Sequence, residues 1–272
     1  IRPMSQCLIA NNIEGIAGIL NGTTNFILTK MIEDGMTFEA ALKLAQDNGY
    51  AEKDPTADIE GFDACRKVCI LASLAFGKHV YPNQVEAEGI TNITLEDVSY
   101  ISSVGGVIKL LGQIKYINDD KIAAFVSPAV VFHGSQLASV NGVFNAILVR
   151  GDAVGDVCFY GQGAGKLATA SAVVADMVDS AVHVERRINF GWSAGNEDYV
   201  VDEKATIEMP FYVRAKSSES KVKALLNDVK FLTRVGQPSD EVAFITDSMT
   251  QNELDEKLKD VEVINIIKVT NY

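Results

Sequence analysis

Long apolar runs are missing from this sequence. None approaches the roughly 20 residues that span a bilayer. Residues 1–10 carry one arginine and no long apolar core, so neither a signal peptide nor a membrane partner is expected. Basic residues are scarce: 24 Lys and Arg stand against 36 Asp and Glu, a net charge of −12 that opposes binding to nucleic-acid backbones. The interleaved acidic surface reads as solubility. Three scattered histidines give a His-based triad little to stand on. Four cysteines, Cys7, Cys65, Cys69 and Cys158, match no disulfide framework, so a reducing cytoplasm is the expected compartment. Cys65 and Cys69 would share one helix face. Only His79 is close enough in sequence to join them, so two buried thiols are expected rather than a metal site. Also missing is any G-x-G-x-x-G after an opening strand, which excludes a dinucleotide-binding domain within these residues.

What is present can build a sizeable core: 272 residues, 47% of them hydrophobic, with 22% charged. The fold class is α/β with a mixed sheet. Residues 1–185 are expected to form one domain, 186–204 a linker or extended tail, and 205–272 a second domain. In the first, residues 6–20 are β-prone and lead through Asn21-Gly22-Thr23-Thr24-Asn25 into a helix over 26–34. Thr37 caps a second helix that ends at Asn48-Gly49. An irregular acidic loop over 50–60 precedes a third helix at Phe62–Phe76. Val107, Ile108, Leu110 and Leu111 suggest a helix that turns into a strand near Gly112. Strands follow at 116–117, 122–126, 130–132 and 145–149, then a strand-loop-helix unit over 154–184. In the second domain the order of strands and helices is β-α-β-β-α-β, the ferredoxin-like arrangement.

The densest chemistry lies between Ala45 and Lys67. Five carboxylates, Glu52, Asp54, Asp58, Glu60 and Asp63, sit on a loop stiffened by Pro55 that runs into a helix start. Acidic residues are favoured there by the helix dipole alone, so solvated capping is one reading. Asp63 and Lys67 are four apart and hence neighbours on one helix face. A lysine beside carboxylates is a candidate acid or base, its pKa set by desolvation against their charge. An ordinary surface ion pair explains the two residues equally well. The run Gly161-Gln162-Gly163-Ala164-Gly165-Lys166 is no P-loop, because its spacing is one residue short and Leu167 stands where Ser or Thr should be. On its own it reads as a Gly-rich turn.

The run A-x-x-x-G-Y-A-x-x-D-P-x-x-D-I-x-G-x-D-x-x-x-K, from Ala45 to Lys67, resembles the homoserine dehydrogenase signature at every fixed position. The likeness continues upstream through Gly18-Ile19-Leu20-Asn21-Gly22-Thr23-Thr24-Asn25-Phe26-Ile27-Leu28, and downstream through Gly163-Ala164-Gly165 and Thr169-Ala170-Ser171-Ala172-Val173. It covers roughly the first two thirds of the chain. The resemblance implies interconversion of L-homoserine and L-aspartate 4-semialdehyde with NAD or NADP. It makes Lys67 the proton donor and Asp63, with Asp58, the carboxylates that complete the pocket. Glu52 would hold the substrate amino group, while Tyr50, Gly22 and Thr23 line the pocket and Gly163 and Gly165 close over the cofactor. A plain helix cap explains Gly22-Thr23-Thr24 as well. Ala168 stands where the family usually has proline, which should loosen that helix start. The resemblance also implies a homodimer or higher homo-oligomer.

The same resemblance places the nucleotide-binding domain, a second catalytic lysine and a monovalent-cation site before Ile1. This chain is therefore expected to be a piece of a larger enzyme, with little activity alone. The second domain resembles the ACT domain, an amino-acid-responsive module, although Lys216-Ser217-Ser218-Glu219-Ser220 lacks the Pro and Gly of the usual effector turn. The rival reading is a non-catalytic, amino-acid-responsive dimerisation fragment.

Overall fold

The computed structural model describes residues 1–185 and 191–272; the first five residues of the expected linker lie outside the described residues. A short helix α1 (Arg2–Gln6) and strand β1 (Ile13–Ile19) open the chain. Helix α2 (Gly22–Asp34) begins at Gly22, not at Phe26 as the pattern suggested, because the Asn21 side chain caps it by accepting from the Thr24 amide at 2.9 Å. Helix α3 (Phe38–Asp47) is capped by Thr37 as expected. The acidic loop is not wholly irregular: a single turn, α4 (Thr56–Ile59), forms within it before α5 (Phe62–Phe76), whose bounds match the expected helix. Strand β2 (Glu86–Ala87) and helix α6 (Leu95–Ser102) follow, the helix held by a reciprocal capping box between Thr94 and Asp97.

The next segment corrects the sequence reading. Residues Val107 to Leu111 are not helical but belong to β3 (Gly106–Asn118), paired antiparallel with β4 (Lys121–Phe132). Ile108, Leu110 and Ile114 face one core while Val107 and Leu111 face another. A strand buried on both sides reads as a continuous apolar run, which periodicity alone cannot tell from a buried helix. Likewise 122–126 and 130–132 are parts of the single strand β4. Strands β5 (Phe144–Gly151) and β6 (Gly155–Gln162) then lead to α7 (Lys166–Val182).

Residues 191–202 run back over the first unit: the Ser193 amide donates to Gly77 O at 2.9 Å, the Ile122 amide to Tyr199 O at 3.0 Å, and Tyr199 is buried. After α8 (Glu203–Thr206) come β7 (Phe211–Lys216), α9 (Glu219–Leu225), β8 (Val229–Leu232), β9 (Glu241–Thr246), α10 (Gln251–Leu258) and β10 (Glu262–Val269). The sequence pattern suggests a helix over Glu219 to Val229, but α9 stops at Leu225 because Leu226 is already extended. The four strands of this unit are all antiparallel in the order β10-β7-β9-β8, over a core of Phe211, Val213, Val222, Phe244 and Leu254 that also takes in Ala123 and Phe125 of β4.

The two units share one ten-stranded sheet. Its order is β6-β5-β1-β3-β4-β10-β7-β9-β8, with β2 added against β4; β10 joins β4 in parallel at Lys268 and Val269. That pairing leaves neither β4 nor β10 as an open edge. A buried polar latch reinforces it. Asp97 of α6, fully buried, accepts from Tyr212 Oη at 3.0 Å and Asn265 Nδ2 at 2.9 Å, and pairs with Arg214 Nε at 3.2 Å.

Helix α5 lies on the first unit's sheet through Ala64, Cys65, Val68, Cys69, Leu71 and Ala72. Burying each Val or Leu there contributes about 1.5–3 kcal/mol. The seat is tight. At Gly112 of β3, a Cβ would run into Val68 and Leu20 side chains, so only glycine lets the helix approach this closely. Asp63 and Lys67 are left at the margin of this contact, beside the end of β1.

Candidate active site

The turn between β1 and α2 carries Asn21, whose side chain is buried and fully engaged. Its Oδ1 accepts from the Thr24 amide at 2.9 Å and the Thr24 hydroxyl at 3.1 Å. Its Nδ2 donates to Asp58 Oδ1 at 2.7 Å and to Asp63 Oδ2 at 2.9 Å. Lys67 Nζ donates to Asp63 Oδ2 at 2.7 Å and to Leu20 O at 2.8 Å. One helix turn, one loop turn and one strand end thus meet within a group of six polar contacts. An ammonium has three donors, so Lys67 keeps one for a ligand oxygen. The far oxygens of Asp58 and Asp63 have no partner among the described residues. Lys67 and Asp63 side chains are 45% and 32% exposed, and an ion pair so placed stabilises by only about 0.2–1 kcal/mol. Holding the fold is therefore a poor explanation for the arrangement.

Tyr50, Thr23 and Gly22 adjoin it. The Thr23 hydroxyl donates to Tyr50 O at 2.8 Å, and the Tyr50 ring meets Phe26 edge-on with centroids 5.0 Å apart. The amides of Gly22 and Thr23, in the first turn of α2, have no acceptor among the described residues. Open amides at a helix start are the kind of group that an anion can accept from. Glycine at position 22 is required by packing: a Cβ would come within 2.8 Å of Val143 O. Glu52 stands two residues past Tyr50, exposed, with its carboxylate free among the described residues and its carbonyl accepting from Gln46 Nε2 at 3.1 Å.

Gly163 reaches this neighbourhood through Asn145 of β5. A Cβ on Gly163 would overlap the Asn145 amide, whose Oδ1 lies 3.5 Å from where a Cβ on Gly22 would sit. Gly165 adopts φ 115° and opens α7 with no side-chain cap. The amides of that first turn are therefore open to an anionic ligand, with Lys166 beside them. The donor set fits contact along one edge of a dinucleotide. Among the described residues no Gly-rich β-α-β turn cradles a whole one. The outer face of α7 is apolar and exposed at Leu167, Val173, Val174, Met177 and Val178.

Two residues escaped the sequence reading. Asn21 was read only as part of the turn before the helix; its side chain caps α2, and its second set of contacts goes to residues 37 and 42 positions away. Asn145 gave no signal at all. Cys65 and Cys69 are both buried, as expected. Among the described residues no group of three or more His, Cys, Asp or Glu is placed to hold a metal ion, and no helix is long and apolar enough to cross a membrane.

Residues 1–178 match the family model described as homoserine dehydrogenase. A curated homoserine dehydrogenase of Synechocystis is 47% identical over 182 residues, covering 66% of this chain and 42% of the relative. The crystal structure of a homoserine dehydrogenase from Thiobacillus denitrificans superimposes with a TM-score of 0.83 at 33% identity, over 99% of this chain and 67% of that one. A hyperthermophilic archaeal homoserine dehydrogenase mutant in complex with NADPH is similar over 66% of this chain and 51% of its own, with a TM-score of 0.55 and 31% identity. The chain thus spans less than half the length of the Synechocystis relative.

Proposed function

The chain belongs to the homoserine dehydrogenase family, and we propose that it supplies the substrate pocket for interconversion of L-homoserine and L-aspartate 4-semialdehyde in the synthesis of threonine, methionine and isoleucine. The observation that carries this is the convergence of Asp58 and Asp63 on one buried asparagine, with Lys67 bonded to Asp63, within the stretch that matches the family. NAD or NADP, when bound, exchanges a hydride with C4 of the substrate. In the reducing direction Lys67 gives a proton to the oxygen that becomes the C4 hydroxyl; in the oxidising direction it takes that proton back. Asp63 orients the lysine by accepting one of its hydrogen bonds. Asp58 and the free oxygen of Asp63 face the polar end of the substrate. The open amides of Gly22 and Thr23 suit the substrate carboxylate, and Glu52 suits its ammonium group. Tyr50 walls the pocket, while Gly163 and Gly165 would lie along the cofactor edge.

The rest of the cofactor site would lie on a nucleotide-binding part of the kind the longer relatives have room for. The exposed apolar face of α7 is where we place it. A homodimer, a cytoplasmic setting and an amino-acid effector on the C-terminal unit belong to the same reading. The test is substrate profiling of the full protein. Oxidation of L-homoserine but not of N-acetylhomoserine supports it, since acetylation removes the charge that Glu52 would hold. Equal rates on both substrates, or no turnover of homoserine, would sink it. Threonine raising the melting temperature supports the effector, and no shift at saturating threonine removes it.

A further inference from the structure

We propose that Asn21 is a positioning residue, which spaces Asp58 from Asp63 and aims Asp63 at Lys67. The proposal rests on the dehydrogenase reading above. Capping alone does not explain an asparagine here. The other α-helices with a side-chain cap use Thr37, Thr94, Asp202, Ser218 and Thr250. Asp and Ser cap about as well as Asn, and Thr only somewhat less well. Only an amide offers, in one short side chain, an acceptor for the helix start and two donors besides. All three capacities are used, and the side chain is 7% exposed.

The geometry gives the two donors a purpose. Two carboxylates drawn to one place repel, and each gains from a charge-assisted hydrogen bond. The roughly 120° fork of an NH2 group, with arms of 2.7 and 2.9 Å, sets the two bonded oxygens roughly 5 Å apart. Lys67 then bonds the oxygen of Asp63 that Asn21 already holds, and makes no bond to Asp58. Without the bridge, Asp58 could swing onto the ammonium and compete with both Asp63 and the substrate oxygen. Asn21 also keeps Leu20 O, the second acceptor of Lys67, at the start of the same turn.

The test uses two substitutions that preserve the helix cap, made in the full protein. Asn21→Ser is too short to reach the carboxylates. Asn21→Asp keeps the shape but replaces both donors by an acceptor. Asn21→Ser is expected to lower kcat for homoserine about 10- to 100-fold, leaving KM within ~3-fold and the melting temperature within ~2 °C of wild type, because the cap remains. Asn21→Asp should fall further in kcat. Wild-type kcat in Asn21→Ser, or a rise in KM alone, overturns the proposal. A readout independent of turnover is the pair of Asn21 side-chain amide protons in 15N-edited spectra. Asp58→Asn should move one of them and Asp63→Asn the other; if neither moves, the bridge is refuted. A wild-type protein that does not turn over homoserine fails the dehydrogenase reading, while the amide spectra still decide the bridge.

Discussion

Replacing Asp97 by Ala removes the carboxylate through which the two units are latched. The fully buried side chain serves Tyr212 Oη at 3.0 Å, Asn265 Nδ2 at 2.9 Å, and Arg214 Nε at 3.2 Å, and also accepts from the Thr94 amide and hydroxyl at 3.2 Å. Arg214 is 6% exposed, and the nearest remaining carboxylate, Glu96 at 3.6 Å, is itself 46% exposed and recovers little. Breaking a buried pair from one side typically costs about 3–5 kcal/mol, because an uncompensated charge stays inside. The lost cap of α6 is part of that figure. For a chain of this size each kcal/mol lowers Tm by about 2–4 °C, so a fall of roughly 6–20 °C is expected. The assay is thermal and urea unfolding of wild type and variant, followed by circular dichroism and by fluorescence. A loss below about 1 kcal/mol would show that the latch contributes little and that the β4–β10 pairing and the shared apolar packing join the units.

Other perturbations probe the site and its surroundings. Burial holds the Lys109 ammonium down at about 8, although Asn25 Oδ1, Val140 O and Asn141 Oδ1 accept from it. Between pH 8 and 10 the unfolded chain keeps a proton the folded chain has lost, so stability should rise with pH, by up to about 1.4 kcal/mol per unit. Urea midpoints at pH 8, 9 and 10 should show this slope in wild type and a flatter one in Lys109→Met; equal slopes refute it. Lys115, also lowered by burial, adds in the same direction and remains in the variant. Gly22→Ala places a methyl 2.8 Å from Val143 O and must shift the first turn of α2. We expect kcat/KM for homoserine to fall about 10-fold or more; steady-state kinetics at wild-type level would show that this turn does not contact the substrate.

Much of the site was readable because the residues that matter sit in one dense local pattern. Asp63 and Lys67 follow from helical spacing, and the apolar stripe of α5 between Gly61 and Gly77 gives its bounds. What the pattern could not carry was pairing between distant segments. Val107, Ile108, Leu110 and Leu111 satisfy both a helical and a doubly buried strand reading until β1 and β4 are seen on either side of β3. The continuous sheet across both units depends on Lys268 and Val269 meeting Ala129 and Val130, which no local signal encodes. Asn21 illustrates the same limit: its cap is local, its bridge is not.

The most direct test of the account is steady-state kinetics of the full protein with Lys67→Ala. The proton step assigned to Lys67 predicts a kcat for homoserine lower by about 10²–10⁴-fold. Melting temperature should stay close to wild type, because the Asp63–Lys67 pair is partly exposed and adds little to stability. A folded variant that still turns over homoserine at the wild-type rate would contradict the assignment of Lys67, and with it the mechanism built around this turn.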